Sequence, residues 1–166
     1  MSKYFVCAFA ILFLYVSQPS FAATTKIEND AAKATLNLGP SELVKVSVKT
    51  VTPIAAYPYS KSYFWGGDKT TPPKKIIETI SISKSTNTID VPLSAYSDLG
   101  NPAEISLKKL SAHGFQIKIC GGDAGGSYCA MLDFKNEGII RRKVVHNEFP
   151  NQIWEETTYT FIQPDN

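Results

Sequence analysis

The sequence predicts an all-β fold, an antiparallel β-sandwich of the jelly-roll or C2-like kind with about eight or nine short strands and one hairpin disulfide. Apolar and polar residues alternate with a period of two along most of the chain. Turns rich in Gly, Pro, Asn and Ser separate the alternating segments, and no segment carries a sustained helical apolar stripe. Short alternating strands divided by such turns are typical of sandwiches and barrels.

The clearest strand is ELVKVSVKTV, in which Val44, Val46 and Val48 face one side while Lys and Ser residues face the other. This alternation indicates a half-buried strand with one wet face. Pro92 marks the segment TIDVPL as an edge strand or a strand end, because proline cannot donate to a sheet ladder. The other expected strands are KIIETISIS, EISLKKL, FQIKIC, YCAMLDF, GIIRRKVVH and WEETTYTFI.

Residues 1–22 have the pattern of a cleaved secretory signal peptide. Lys3 supplies a positive start, an apolar run extends from Tyr4 to Val16, and Ser20-Phe21-Ala22 places small residues before a cleavage point. The apolar run is shorter than the ~20 residues that a membrane-spanning helix needs. We therefore expect cleavage after Ala22, a secreted, periplasmic protein, and no membrane span in the mature chain.

The remaining 144 residues (166 − 22) are expected to form one domain. Residues 23–40 are polar and Ala-rich and predict a loose N-terminal arm, with a composition that also suits a short helical turn around Asn29 to Ala34. Residues 41–166 form the predicted sandwich. Losing Lys3 changes the formal charge from +2 to +1. The one basic cluster, Arg141-Arg142-Lys143, lies in an alternating segment and points both ways, so we expect no nucleic-acid partner.

Two cysteines remain in the mature chain, because Cys7 lies inside the signal peptide. In an oxidising compartment, Cys120 and Cys129 are expected to form a disulfide. Eight intervening residues without a nearby histidine do not match metal-ligand spacing. If Cys120 faces Cys129, the same register pairs apolar residues on one face of the hairpin: Phe115–Phe134, Ile117–Leu132 and Ile119–Ala130. On the other face it pairs Gln116 with Asp133 and Lys118 with Met131. A slip of one residue would break this agreement.

The loop that this bond closes is the leading candidate for a binding surface. Its glycines let a ligand approach the backbone, whose N–H groups can form an anion-binding nest. A similar sequence, Trp65-Gly66-Gly67-Asp68, follows an earlier aromatic segment and adds Trp65 and Asp68 to the candidate surface. Gly-Gly-Asp is also a common turn sequence, so a purely structural role for both segments remains an alternative. The candidate binding residues of the loop are Gly121, Gly122, Asp123, Gly125, Gly126, Ser127 and Tyr128.

An aromatic row in AYPYSKSYFW supports a second hypothesis, a carbohydrate-binding module. Tyr57, Tyr59 and Trp65 share one parity if this segment is extended, and their rings could form a platform for a glycan. Aromatic side chains also fill sandwich cores, so core packing is the competing interpretation.

Metal binding and catalysis have weaker support. Four aspartates in or beside expected loops, Asp68, Asp90, Asp98 and Asp123, are suitable calcium ligands, but they lack the contiguous spacing of a calcium loop. We therefore expect no cofactor. A hydrolase of the cell envelope would require His113 or His146 to lie beside an acid and Ser127, and no catalytic motif predicts this. The leading prediction is a non-catalytic binding or inhibitor-type protein for a protein or envelope partner.

Overall fold

The computed structural model describes residues 23–54, 64–66 and 72–161. This part of the chain forms ten strands, all paired antiparallel. In chain order they are β1 (Thr25–Lys26), β2 (Ala31–Gly39), β3 (Glu42–Val51), β4 (Ile76–Lys84), β5 (Asn87–Ile89), β6 (Pro102–Lys109), β7 (Gly114–Gly121), β8 (Tyr128–Lys135), β9 (Gly138–His146) and β10 (Ile153–Thr158). Two short 3-10 turns, Leu93–Ala95 and Ala124–Gly126, complete the described elements.

The strands form two sheets, which confirms the predicted all-β class. One sheet has six strands in the order β1-β6-β7-β8-β9-β10, and the other has four in the order β2-β3-β4-β5. The core between the sheets is aliphatic and aromatic, with fully buried side chains that include Val44, Ile82, Leu107, Phe115 and Phe134. Pro92 lies after the short edge strand β5, as its sequence position indicates. No helix in the described residues has the length and apolar character required to cross a membrane.

The loose arm expected at residues 23–40 is a wrong prediction, as is a helical turn around Asn29 to Ala34. Strand β2 occupies nine residues there and pairs with β3 along its length. Every second side chain of β2 is buried: Ala32, Ala34, Leu36 and Leu38. Alanine has little intrinsic preference for strands, so the alternation is weak in sequence, and packing against β3 decides the conformation.

The predicted hairpin register between β7 and β8 is confirmed. Cys120 lies opposite Cys129, with their Cα atoms 4.1 Å apart and the disulfide formed. Because neighbouring residues of a strand point to opposite faces, the disulfide lies on the outer face of the six-stranded sheet and not in the inter-sheet core. There it packs with Val145 and the partly buried Met131 in a separate small apolar cluster.

Segments outside the two sheets cover part of β9 and β10 in the six-stranded sheet. The segment that follows β5 contacts β9, because Arg142 of β9 bonds to Ser94 and Asp98 of that segment. Trp65 covers another part by stacking on Trp154 of β10. The candidate site lies at the end of the sandwich where this cover meets the β7–β8 loop.

Candidate functional site

The two Gly-Gly segments of the sequence lie against each other through Gly66 and Gly122. A side-chain carbon at Gly122 would lie 2.6 Å from the Cα atom of Gly66, and one at Gly66 would lie 2.5 Å from the ring of Tyr128. Both glycines also adopt positive φ, 75° and 78°. Only glycine combines this backbone conformation with so close an approach. The structure therefore brings Gly66, the neighbour of Trp65, to the disulfide-closed loop.

Asn101 connects these segments through both its side chain and its main chain. Its side-chain Nδ2 donates to the Gly66 carbonyl at 3.0 Å, and its Oδ1 accepts from the Lys74 and Lys75 N–H groups at 2.8 and 3.3 Å. Its main-chain oxygen accepts from Gly122 N–H at 3.1 Å. Asn101 has φ of 47°, a conformation that asparagine tolerates. Sequence reasoning missed this residue, although Gly-Asn-Pro is a turn signal at residues 100–102.

The disulfide-closed loop has a fixed base and an open tip. At the base, Gly121 is buried, and a side-chain carbon there would lie 2.5 Å from the carbonyl oxygen of Asn101. At the tip, Asp123 and Gly125 are exposed, and a side-chain carbon at Gly125 would meet no heavy atom within 4 Å. A single 3-10 turn at Ala124–Gly126 forms this tip, and the Gly126 N–H donates to the Asp123 carbonyl at 2.9 Å.

Tyr128 belongs to the floor of the loop and not to its surface, which corrects its place among the expected binding residues. Its side chain is fully buried on the inner face of β8, with its ring beneath Gly66. Burial raises the pKa of its hydroxyl, and the nearby Asp98 carboxylate raises that pKa further. Tyr128 therefore supports the loop and stays protonated. Of the loop's other expected residues, Gly122, Gly126 and Ser127 are half-buried.

A neighbouring turn adds exposed apolar side chains that the sequence did not indicate. Asn147 N–H donates to the Ser127 carbonyl at 3.1 Å, which joins the β9–β10 turn to the loop. Phe149 in this turn is 55% exposed, and Ile153 at the start of β10 is 51% exposed. Ile153 lies opposite Val145, which in turn lies opposite Cys129, so Ile153 is in the same cross-strand row as the disulfide. Sequence patterns indicate which face of a strand a residue occupies and where turns lie, but not which loops lie at the same end of the sandwich. They therefore could not identify Phe149 and Ile153 as part of the site.

Trp65 participates in an aromatic row other than the predicted one. Its ring stacks on Trp154 with centroids 5.3 Å apart and planes at 12°, and its Nε1–H donates to Glu155 Oε2 at 3.3 Å. Trp154 meets His146 edge to face at 5.2 Å, and His146 contacts Phe149 at 5.0 Å. Trp154 thus covers one face of the Trp65 ring. Tyr57, Tyr59 and Asp68 lie outside the described residues, so the predicted glycan platform stays a prediction.

Arg142 fixes the segment after β5 to the outer strands. Its guanidinium, with 3% of the side chain exposed, lies 2.7 Å from Asp98 Oδ2 and 3.4 Å from Glu155 Oε2. It also donates to the Ser94 carbonyl at 2.8 Å. A buried cation is stable only when it is paired and hydrogen-bonded. Asp98 therefore serves as an ion-pair partner of Arg142.

Asp90 and Asp123, two more of the aspartates considered as calcium ligands, are both exposed. Among the described residues, no group of three or more His, Cys, Asp and Glu side chains is placed to hold a metal ion.

The groups considered for catalysis do not assemble in the described structure. His113 is exposed and precedes β7, while Ser127 precedes β8 at the opposite end of an eight-residue hairpin, on the order of 25 Å away. His146 is nearer to Ser127, but its Nδ1 accepts the backbone N–H groups of Glu148 and Phe149 at 3.1 and 3.3 Å. His146 therefore stabilises the β9–β10 turn through the nitrogen that an orienting carboxylate would need.

Fold and site together define an all-β, disulfide-bonded sandwich that carries a fixed glycine loop at one end. In comparisons with known proteins, no family model, no curated protein and no solved structure matches the chain. The geometry of the site is thus the basis for assigning a function.

Proposed function

We propose that this is an exported, non-catalytic binding protein of the interaction or inhibitor type. Its binding surface, here called the loop surface, consists of Asp123, Gly125, Phe149 and Ile153. The partner is another protein or a component of the cell envelope. The observation that carries the proposal is the combination of a fixed base and an open tip in one short loop.

Rigidity of the loop favours binding over simple chain connection. A flexible loop must lose conformational freedom when it docks, and this lowers affinity. Here the Cys120–Cys129 bond, the Gly66–Gly122 contact and the Asn101 hydrogen bonds order the base before any partner arrives. Four glycines in so short a loop would otherwise be costly to order. The base on which the loop tip stands is therefore preorganised.

Exposed apolar side chains beside the loop give the surface a source of binding energy. Phe149 and Ile153 each leave about half of the side chain in contact with water. Aromatic and aliphatic residues that are buried at the centre of an interface contribute much of its affinity. Asp123 at the tip supplies a polar group that adds specificity by pairing with a donor of the partner.

Export is part of the same proposal. Residues 1–22 carry the signal-peptide pattern, and the disulfide is suited to an oxidising compartment such as the periplasm. A loop that depends on a disulfide for its order would lose that support in a reducing cytosol.

The test is a pull-down from envelope extract with the mature chain and two glycine variants. Gly125→Phe adds a ring where open space surrounds the backbone, so the fold is retained while the loop surface is blocked. Gly39→Phe is the matched control, because a side chain there also meets nothing within 4 Å and the residue ends β2, far from the loop.

Binding of a partner to the wild type and to Gly39→Phe, with loss in Gly125→Phe, supports the proposal. Equal recovery by both variants shows that the loop surface is not the binding site. Recovery of no specific partner by the wild type also counts against a binding function. Circular dichroism of each variant checks that the fold is intact.

A further inference from the structure

Buried side-chain atoms without a protein hydrogen-bond partner gather around Arg142. Among the described residues the atoms of this kind are Asp98 Oδ1, Tyr128 OH, Arg142 Nε and Tyr159 OH, and the first three belong to side chains that act on one another. Buried polar groups are nearly always hydrogen-bonded, so each such atom requires a physical explanation. The clustering of the first three atoms at one place, apart from the loop surface, indicates one shared cause.

Their common location follows from the strand pairing. Arg142 lies opposite Leu132 of β8 and Thr157 of β10, so its side chain points to the inner face of the six-stranded sheet. Tyr159 lies just after β10 and is partly buried against the inter-sheet core. Asp98 is bonded to Arg142 at 2.7 Å. Tyr128 is also on the inner face, close enough for the charges of Asp98 and Arg142 to act on its pKa.

The chemistry of the three atoms around Arg142 is complementary to a small neutral molecule. Arg142 Nε–H is only a donor, Asp98 Oδ1 is only an acceptor, and the Tyr128 hydroxyl can be either. A water oxygen accepts from the guanidinium and donates to the carboxylate, and it has capacity left for a hydroxyl. The Arg142 charge already lies between two carboxylates, so a neutral ligand fits better than an additional ion.

We infer that the space between the inner face of β8–β10 and the segment after β5 is an internal hydration site. Ordered water there accepts from Arg142 Nε–H, donates to Asp98 Oδ1 and bonds to the Tyr128 hydroxyl. Buried waters typically make about three hydrogen bonds to polar groups that the protein leaves unpaired. Burial of the three atoms separates this water from bulk solvent, so it exchanges slowly.

This hydration site has a structural role that does not depend on the proposed function. Tyr128 lies beneath Gly66 at the floor of the loop, and Arg142 holds the segment after β5. Water that bonds to both connects the loop floor with the outer strands. Arg142 and Tyr128 act here as positioning residues.

The direct test is a nuclear Overhauser measurement between water and the Arg142 side-chain Hε in the full mature protein. We expect a cross-peak from a long-lived water molecule in the wild type. Its absence would overturn the inference. We also expect the isosteric variant Tyr128→Phe to weaken or shift this cross-peak, because the variant removes one of the bonds that hold the water.

Unfolding measurements distinguish a Tyr128 hydroxyl that bonds to water from one that has no hydrogen-bond partner. If water bonds to the Tyr128 hydroxyl, Tyr128→Phe should lower the folding equilibrium constant by roughly 3- to 10-fold, since a net hydrogen bond is lost. If the hydroxyl is buried without a partner, its removal should leave stability unchanged or raise it, which would contradict the inference. Tyr96→Phe is the control, because Tyr96 is also nearly buried but its hydroxyl is not among the buried atoms without a hydrogen-bond partner.

Discussion

The side-chain amide of Asn101 donates a hydrogen bond to the carbonyl of Gly66, with Nδ2 and the oxygen 3.0 Å apart. This bond joins two parts of the chain that are distant in sequence and brings Gly66 under the loop at Gly122. The same asparagine accepts main-chain hydrogen bonds with its Oδ1. One side chain thus determines the relative position of the two glycine segments that form the base of the loop surface.

Asn101→Ala should destabilise the protein by roughly 2–3 kcal/mol, because three side-chain hydrogen bonds of about 1 kcal/mol each are lost. Chemical unfolding measures this change. Asn136→Ala is the matched control, since Asn136 also has positive φ but lies in an exposed turn. A loss as large in Asn136→Ala would show that backbone strain, and not the hydrogen bonds of Asn101, causes the effect.

Arg142→Leu should cost roughly 3–5 kcal/mol of folding free energy, because removal of one partner leaves a carboxylate in a poorly solvated place. Thermal and urea unfolding measure the loss. Lys75→Met, which removes an exposed ion pair with Asp30, should change stability much less. An Arg142→Leu variant as stable as the wild type would mean that Asp98 and Glu155 are well solvated without the guanidinium.

Reduction of the disulfide should lower stability by roughly 2.5–3 kcal/mol, the chain-entropy value for a closed loop of about ten residues. The strands should remain, because the bond lies on the outer face and the inter-sheet core lacks it. Circular dichroism with and without reductant tests this result. Complete loss of the β signal at moderate temperature would instead show that the protein requires the disulfide in order to fold.

The stacked pair of Trp65 and Trp154 should produce an exciton couplet in the circular dichroism spectrum, because the chain has two tryptophans and their rings are 5.3 Å apart. Trp65→Phe and Trp154→Phe should each abolish the couplet. Each change should also cost about 0.5–1.5 kcal/mol beyond the lost contact area. A couplet that persists in either variant cannot arise from this pair.

Acid should remove the stabilisation that Glu42 provides. A hydrogen bond from Lys84, 2.6 Å from the carboxylate, lowers the Glu42 pKa below its ordinary value of 4.5, and the Lys84 and His113 charges add to this effect. A carboxylate whose pKa is lower in the folded state stabilises the fold above its unfolded-state pKa, and loses this effect as pH falls through the folded-state value.

The difference in unfolding free energy between the wild type and Glu42→Gln should therefore be largest near neutral pH and should shrink in acid. Urea unfolding at neutral pH and at a pH below the folded-state value measures it. The exposed Glu78→Gln serves as the control. A difference that is the same at both pH values would mean that the charge of Glu42 is not responsible.

Local rules of strand geometry explain which parts of the fold were predictable. In the β7–β8 hairpin, the apolar alternation and the two cysteines required the same register, and the structure has it. Alternation also indicated that the basic cluster points both ways, and Arg142 is buried while Arg141 is exposed. Strand β2 was missed because Ala32 and Ala34 carry a weak strand signal, and only packing against β3 reveals it.

The site was less predictable because it depends on contacts between distant segments. Sequence placed Trp65 and the disulfide-closed loop together only by the likeness of their Gly-Gly-Asp patterns. Parity assigns a residue to a face of a sheet, but it does not tell which loops meet at one end. The links made by Asn101 and the exposure of Phe149 therefore required the three-dimensional structure.

The contrast between Gly122 and Gly125 has a consequence for how the loop tolerates sequence change. Any side chain at Gly122 would force the Gly66 backbone away, whereas any side chain at Gly125 extends into open space. In a library of single substitutions, folded variants should be depleted at Gly66, Gly121 and Gly122 and frequent at Gly125. The loop thereby combines positions that fix the backbone with one position that accepts varied side chains without a change in the scaffold.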